Sequence, residues 1–484
     1  MNARRLPHPS PAARAAATPD GGTLDPDRLF PVETRTRAIA RDLFSRVADL
    51  PIISPHGHVD PRLLVDDAPF PDPARLLVTH DHYVTRLLHA GGVEMSSLRL
   101  GPALAEPREV WRALANNWHL FAGTASGYWL AHELATLFGV TGELSAESAD
   151  TSFDRITAQL GEPRLRPRAL FAAFGIDVLA TTDDPLDDLT HHQALARDPS
   201  FTGRVIPTFR PDAYITPATP GFRERVERLM DLEGAAPDDF DAYLRALEAR
   251  RAHFIAHGAV SADHGVLEPR AEDLRPDEAS TLFRAAMTGK LSPEGERSFA
   301  AHMLLQMARM SVDDGLVMTI HPGVHRNHSS ETLRRWGPDT GHDIPVATSY
   351  TQNLRPLLEK YGLAPDFHLI LFGIDESAMS REIAPLAGFY PSVYIGAPWW
   401  FLDAPDAILR FRASVTETAG FYRGSGFVDD TRAFLSIPAR HDAARRLDSA
   451  FLARLVCEGR ISLPAAERIA VDLVDAIPRK AFKL

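Results

Sequence analysis

Cysteine is all but missing from this chain. One residue, Cys457, stands among 484, which excludes an internal disulfide and any cysteine-rich metal site and fits a reducing, cytoplasmic setting. Long apolar runs are missing too: none reaches the roughly 18 residues of a membrane span. Positive charge is in deficit, with 52 Lys and Arg against 64 Asp and Glu for a net −12. That balance speaks against nucleic-acid and anionic-membrane partners. It leaves a small anionic substrate open, because local arginines decide that case. There is no glycine-rich phosphate loop, no internal repeat and no long low-complexity linker. Residues 1–28, rich in Ala, Pro and Arg without apolar periodicity, are expected to form a disordered tail. Arg4-Arg5 is not followed by the apolar stretch of a secretion signal.

What is present begins with an apolar content of 45%, enough for a large core, in a chain too long for one minimal domain. The organising stretch is Leu50-Pro-Ile-Ile-Ser-Pro-His-Gly-His-Val-Asp-Pro61. A short apolar run leads into two histidines one residue apart. On an extended strand, residues i and i+2 point to the same side, so His56 and His58 present both imidazoles to one place. Neutral imidazole is the commonest ligand for zinc-like metals.

Residues 62–170 read mostly as helices with aromatic faces, which we take as core packing. Beyond them short apolar strands alternate with helical stretches. The expected strands are Ile176–Thr181, Arg204–Phe209, His257–Ala262, Gly315–Ile320, His368–Phe372, Ser392–Ile395 and Gly424–Val428. With the His-x-His strand that makes eight. Alternating strand and helix implies parallel pairing, and eight units imply a (β/α)8 barrel. The expected division is a barrel over residues 29–61 and 171–484, interrupted by a helical insertion over 62–170. Active sites of this fold sit at the C-terminal ends of the strands. There the sequence places Arg210, Asp263, His321, Trp399 with Trp400, and Asp429-Asp430.

His56 and His58 can share a metal with His321 or Asp430, a donor set suited to one catalytic zinc or manganese. No lysine or glutamate stands at the fourth strand end to bridge a second ion. Arg210, Arg326 and Arg432 stand at or just after strand ends, and arginine in a concave site binds carboxylate or phosphate in a forked geometry. Without a phosphate loop, a carboxylate is the better match. A tyrosine beside an arginine can serve as a general base, since the cation lowers its pKa; Tyr83, after His82, is the candidate.

These residues carry a family likeness. The motifs Pro55-His-Gly-His-Val-Asp-Pro61, Asp81-His-Tyr83, Pro207-Thr-Phe-Arg-Pro-Asp212, Ala262-Asp-His-Gly265, His321-Pro-Gly-Val-His-Arg-Asn327, Trp399-Trp-Phe401 and Asp430-Thr-Arg-Ala-Phe-Leu-Ser436 resemble, in order, those of the uronate isomerase (glucuronate isomerase) family. That family is a divergent branch of the amidohydrolase superfamily. The resemblance implies an amidohydrolase-type barrel that interconverts D-glucuronate with D-fructuronate and D-galacturonate with D-tagaturonate through a cis-enediol. It implies His56, His58 and Asp430 as ligands of one divalent metal. Tyr83, Asp430, Arg432 and His321 become catalytic, and His82, Arg210, Asp263, Arg326 and Trp399 substrate-binding. The implied partner is a small hexuronate, in a homo-oligomeric enzyme. Two motifs depart from the family: the residues before Arg326, and Asp429 before Asp430 where a threonine is usual. Tyr83 is expected to shuttle the carbon-2 proton, made acidic by Arg432. The competing reading is a metal-dependent hydrolase of the same superfamily, for which His-x-His and a late aspartate serve equally well.

Overall fold

Successive side chains of the core strands point to opposite faces, and that alternation decides which of them fill the barrel. In the strand Val317–Ile320, Val317 packs inward with Ile370, Phe372 and Tyr394, while Met318 and Ile320 join the outer layer between strands and helices. In the strand Ile176–Ala180, Val178 and Ala180 meet Ile53 and Ile206 inside, and Leu179 faces out. A period of two sends successive side chains to opposite faces. Both faces of these strands are therefore apolar, as a parallel sheet covered by helices requires.

The computed structural model describes residues 24–98, 105–234, 236 and 238–484. Residues 1–23 of the expected tail lie outside this range. Arg28, at its end, is held by the Asp442 carboxylate at 2.7 Å and the Tyr128 hydroxyl at 3.1 Å. The barrel strands are β1 (Ile52–Ser54), β2 (Ile176–Ala180), β3 (Arg204–Ile206), β4 (Ser261–His264), β5 (Val317–Ile320), β8 (Leu369–Leu371) and β9 (Val393–Ile395). Between β5 and β8 the two-residue strands β6 (Val324–His325) and β7 (Ile344–Pro345) pair antiparallel outside the barrel. The barrel strands pair in parallel as β1-β2-β3 and β4-β5-β8-β9. Single bridges from Phe209 to Asp183 and Ala262 join the two sheets.

Two expected strands come out differently. The fourth begins at Ser261 rather than His257, because residues 257–259 end the preceding helix. The amides of His257 and Ala259 both bond Phe254 O, and Gly258 turns the chain at φ +92°. The eighth, Gly424–Val428, is not a strand. Gly424 makes one parallel bridge to Ile395, after which Gly426 takes φ +77° and leaves the extended region. In this Gly-Ser-Gly run the glycines have no side chain to pack on a pleated surface and the Ser425 hydroxyl turns back to Gly426 O, so the run does not hold a ladder. The ring closes instead where the His58 amide bonds Thr431 O at 3.0 Å.

Between β1 and β2 the described residues form helices and turns, with their apolar faces continuous with Ile52, Ile176 and Leu179. No helix among the described residues is long and apolar enough to cross a membrane. The chain's last turn plugs the bottom of the barrel. Phe482 is buried, Leu484 packs under Ile53 and Val178, and Lys483 Nζ bonds Gly315 O and Asp366 O at 2.8 and 2.6 Å. With that end sealed, the cavity opens at the other, where the strands finish.

Candidate active site

β1 ends by turning two imidazoles onto one oxygen. His56 Nε2 and His58 Nε2 lie 3.1 and 3.0 Å from Asp430 Oδ1. Asp430 reaches this position by a backbone φ of +43°, which a short polar residue tolerates better than most. Its neighbour Asp429 turns the other way, to His441 Nε2 at 3.1 Å. The pairing of adjacent aspartates is thus divided: Asp430 faces the histidines and Asp429 the core.

His321, at the end of β5, completes the group. Its ring stacks on His56 with centroids 4.4 Å apart and on Phe372 at 3.9 Å. Ligand atoms of His56, His321 and Asp430 all lie within 4.8 Å of one another. His321 Nδ1 meets Asp263 Oδ1 at 2.6 Å, and its Nε2 is buried with no hydrogen-bond partner among the described residues. A buried polar atom without a partner is costly, and an imidazole whose far nitrogen is held by a carboxylate has the arrangement metal ligands commonly show. Two imidazoles and a carboxylate converge, from His56, His321 and Asp430, a donor set that fits a divalent ion; His58 reaches the same aspartate oxygen from the side of the cavity.

Charge is balanced inward from this cluster. Asp263 is fully buried; burial opposes its ionisation, but His321 and Arg210 outweigh it and hold the carboxyl well below the usual range. Arg210 Nη1 lies 3.0 Å from Asp263 and its Nε 2.7 Å from Asp212. Asp430 is likewise kept ionised, against burial, by His56 and His58. Burial disfavours charge on both histidines. His56 is nonetheless pushed up, because Asp263 and Asp430 both act on it, whereas His58 stays low.

The outer wall comes from loops. Asp81 caps the helix His82–Ala90, its carboxylate accepting the Tyr83 amide at 2.8 Å, which seats Tyr83 in the first turn. His82 Nε2 accepts the Trp400 indole N–H at 2.9 Å, and burial pushes its pKa down to about 4. Arg326 pairs with Asp343 at 2.9 Å and lies over the Trp400 ring, and Arg432 pairs with Asp339 at 3.4 Å. The loop carrying both acids is pressed onto the His82 helix at Gly341, where φ is +92° and an added Cβ would meet Arg86 Cβ at 2.6 Å.

A cavity of about 360 Å³ lies between these walls. His58, His82, Tyr83, Arg210, Arg326, Trp399, Asp430 and Arg432 line it. Of the predicted residues, His56 and Asp263 are buried behind this lining, and His321 lines a second cavity, which shares Arg326 with the first. Asp263, expected to bind substrate, instead faces His321 and Arg210. The expectation that Arg432 acidifies Tyr83 is corrected: the cation on the tyrosine ring is Arg440, 5.5 Å from its centroid. Burial and the adjacent Asp403 carboxylate raise the phenol's pKa well above its ordinary value, and Arg440 only partly offsets them. Sequence reading missed Asp339, Asp343, Asp403 and Arg440. Asp403 follows the Trp-Trp-Phe motif and was within reach of strand-end reasoning. Arg440 lies inside a helix, and nothing in its local pattern marks it.

Comparison with known proteins agrees with this geometry. The family model described as glucuronate isomerase matches residues 33–479. The uronate isomerase of Corynebacterium efficiens is 51% identical over 461 residues, covering 95% of this chain and 98% of that one. The crystal structure of glucuronate isomerase from Caulobacter crescentus superposes with a TM-score of 0.93 at 48% identity, covering 95% and 97% of the two chains. The uronate isomerase structure from Thermotoga maritima gives 0.89 at 28%, covering 95% and 100%. A barrel of this topology, matched across nearly its whole length, belongs to the glucuronate isomerase family.

Proposed function

We infer that the protein is an aldose–ketose isomerase that interconverts D-glucuronate with D-fructuronate, and D-galacturonate with D-tagaturonate. The observation that carries this reading is one cavity lined by His58, Asp430, Tyr83 and four arginines, in a chain about half identical to uronate isomerases along its length. Asp430 takes the anomeric proton as the pyranose opens. The open chain then passes its carbon-2 proton to carbon-1 through a cis-enediol, with Tyr83 moving that proton. Charge developing on the enediolate oxygens is stabilised by a preorganised donor, for which Arg326 stands nearby. Arg210 holds the carboxylate in this scheme, fixing the reacting carbons against the tyrosine.

His56, His58 and Asp430 would hold one divalent ion, zinc or manganese, with His321 beside them; when bound it supplies a Lewis acid for the sugar's oxygens. The division into a barrel over residues 29–61 and 171–484 and a helical insertion over 62–170 belongs to the same proposal. Support comes from the absence of strands between β1 and β2 among the described residues. The hydrolase alternative has the same metal chemistry but gives Arg210, Arg326 and Arg432 at the cavity no purpose.

An isomerase assay on both uronates, with and without chelator, tests the reading. Ketose formation, followed by coupling to a reductase, is the expected result. No turnover of either acid, with hydrolysis of amides, esters or lactones in its place, would overturn it.

A further inference from the structure

The tyrosine at the cavity wall is not alone. Its hydroxyl lies 3.3 and 3.4 Å from the two oxygens of Asp403, and it accepts the Phe401 amide at 3.3 Å. A phenol oxygen has one hydrogen and two lone pairs. With the hydrogen on Asp403 and one lone pair taken by Phe401, the second lone pair is left for the cavity that Tyr83 lines. The oxygen is therefore presented as an acceptor, the orientation a base needs.

Asp403 is in turn fixed by Arg440, whose Nη1 donates to Asp403 Oδ2 at 2.8 Å and to Asp429 O at 3.3 Å. Arg440 Nε bonds Ser436 Oγ at 3.2 Å, and the guanidinium lies 3.6 Å from the Trp129 ring centroid. Both members of the pair are buried, with side-chain exposures of 3% and 8%. A buried ion pair is a poor device for stability alone, since desolvation offsets most of its attraction. Beside an acid–base tyrosine it has a use, the third member that orients a base in catalytic triads. The contact from Tyr83 to Asp403 is long for an O–H donor, as catalytic hydrogen bonds often are before substrate binds.

We propose that Asp403, clamped by Arg440, is the positioning residue for Tyr83 and the temporary holder of its hydroxyl proton during isomerisation. The inference rests on the isomerase reading and on Tyr83 as its proton carrier. As the carbon-2 C–H bond breaks, its electron pair becomes the second bond between carbon-1 and carbon-2, and the carbonyl pair moves onto the carbonyl oxygen. The carbon-2 proton goes to the Tyr83 oxygen while the Tyr83 proton passes to Asp403. In the second half the enediolate passes its oxygen-2 proton to oxygen-1, and the pair left on oxygen-2 becomes the carbon-2 carbonyl bond. The second bond between carbon-1 and carbon-2 breaks, its pair takes the proton from Tyr83 onto carbon-1, and Tyr83 takes its own back from Asp403. Nothing is oxidised or reduced in the enzyme, and every proton is accounted for. Burial raises the Asp403 carboxyl and Arg440 lowers it, with a net upward shift that suits a transient acceptor.

A double-mutant cycle on the full-length protein tests this. Asp403→Asn keeps the size of the side chain and removes the proton-holding oxygen, and it is measured with and without Tyr83→Phe. We expect Asp403→Asn to lower kcat at least about tenfold with KM within about threefold, and Asp403→Glu to restore part of the loss. In the Tyr83→Phe background the same change should cost almost nothing further, because residues acting as a unit are not additive. Losses that multiply in the double variant, or an unchanged kcat in folded Asp403→Asn, would overturn the proposal. If Asp403→Asn does not fold, by near-ultraviolet circular dichroism, the cycle is run with Arg440→Lys. That variant keeps the charge and loses the second donor, and the same two outcomes decide. Wild-type protein that turns over no uronate, or Tyr83→Phe that stays fully active, would strike the isomerase reading or the tyrosine's role in it. Those outcomes are separate from the cycle's own.

Discussion

Arg210, on the strand side of the cavity, and Arg432, at its mouth, both carry acidic partners, but their surroundings differ. Arg210 bridges Asp212 and the fully buried Asp263, with its own side chain 19% exposed. Arg432 pairs with Asp339 where both are open to water, 39% and 48% exposed. In the deep wall every charge is answered by a neighbour a few ångströms away: Asp430 by two histidines, Asp263 by His321 and Arg210. Such a network stands or falls as a unit. At the rim, water and salt screen each pair, so a partner can be exchanged at little cost. The rim can therefore exchange its partners for water or salt at little cost. The deep wall cannot change its pairing without leaving a charge stranded.

The heaviest blow to the deep wall is the double variant His56→Ala/His58→Ala. Elemental analysis of the purified wild type should find close to one divalent ion per chain, and the variant should lose it. Turnover should fall by more than the about 10–100-fold that loss of an outer partner costs. Unchanged metal content would remove these histidines from the site and collapse the contrast between wall and rim.

Tyr83→Phe comes next. It removes the hydroxyl between Asp403 and the cavity and keeps the ring packed on Trp129 and Phe401. General acid–base groups contribute about 10²–10⁴-fold, so kcat should drop at least a hundredfold at that lower bound with substrate still bound. Exchange of the carbon-2 deuterium of labelled glucuronate with solvent should stop as well. Exchange at the wild-type rate would show that another group moves the proton.

The two arginines then test the comparison directly. Arg210→Met strands Asp263 beside Asp212, and breaking a buried pair costs on the order of 3–5 kcal/mol. Its melting temperature and its uronate kcat/KM should both fall, the latter more than tenfold, as the roughly 2–5 kcal/mol lost with one arm of a buried charge pair implies. Arg432→Met gives up a screened pair worth about 0.2–1 kcal/mol, so it should weaken catalysis while its melting curve barely moves. Equal thermal losses in the two variants would erase the distinction.

The smallest effect on turnover concerns Glu133, on the helix Ala125–Phe138 behind Trp129. Burial, helped by Asp81 and opposed by Arg440, pushes its pKa up to about 8. An unfolded glutamate titrates near 4.3, so between that value and 8 the folded state binds the extra proton. Stability therefore falls as pH rises through this window, by up to about 1.4 kcal/mol per unit. Glu133→Gln should flatten that slope and raise the melting temperature more at pH 8 than at pH 5. Parallel melting profiles for the two proteins would refute it.

Strand-end reasoning brought its residues to one candidate site because a barrel's geometry is local at each repeat. A strand of period two followed by a polar residue puts that residue at the rim of the sheet, whatever the rest of the chain does. His56, His58, Arg210, His321 and Asp430 were legible for this reason, and with the ordered motifs so was the family. The fourth and eighth strands were misjudged where glycine decides. Gly258 and Gly426 take positive φ, and that choice depends on the surrounding packing.

Tertiary structure alone decided the rest. Adjacent aspartates look alike in sequence, and only the positive φ at Asp430 sends one to His56 and His58 and the other to His441. Asp403 and Arg440 are 37 residues apart and meet because the loop after β9 folds back onto a helix. Which cation faces Tyr83 was likewise a matter of packing, and it proved to be Arg440. The chain's own pattern sets which residue types reach the cavity. Which of them share a proton depends on distances between segments far apart in sequence, and those exist only once the barrel has closed.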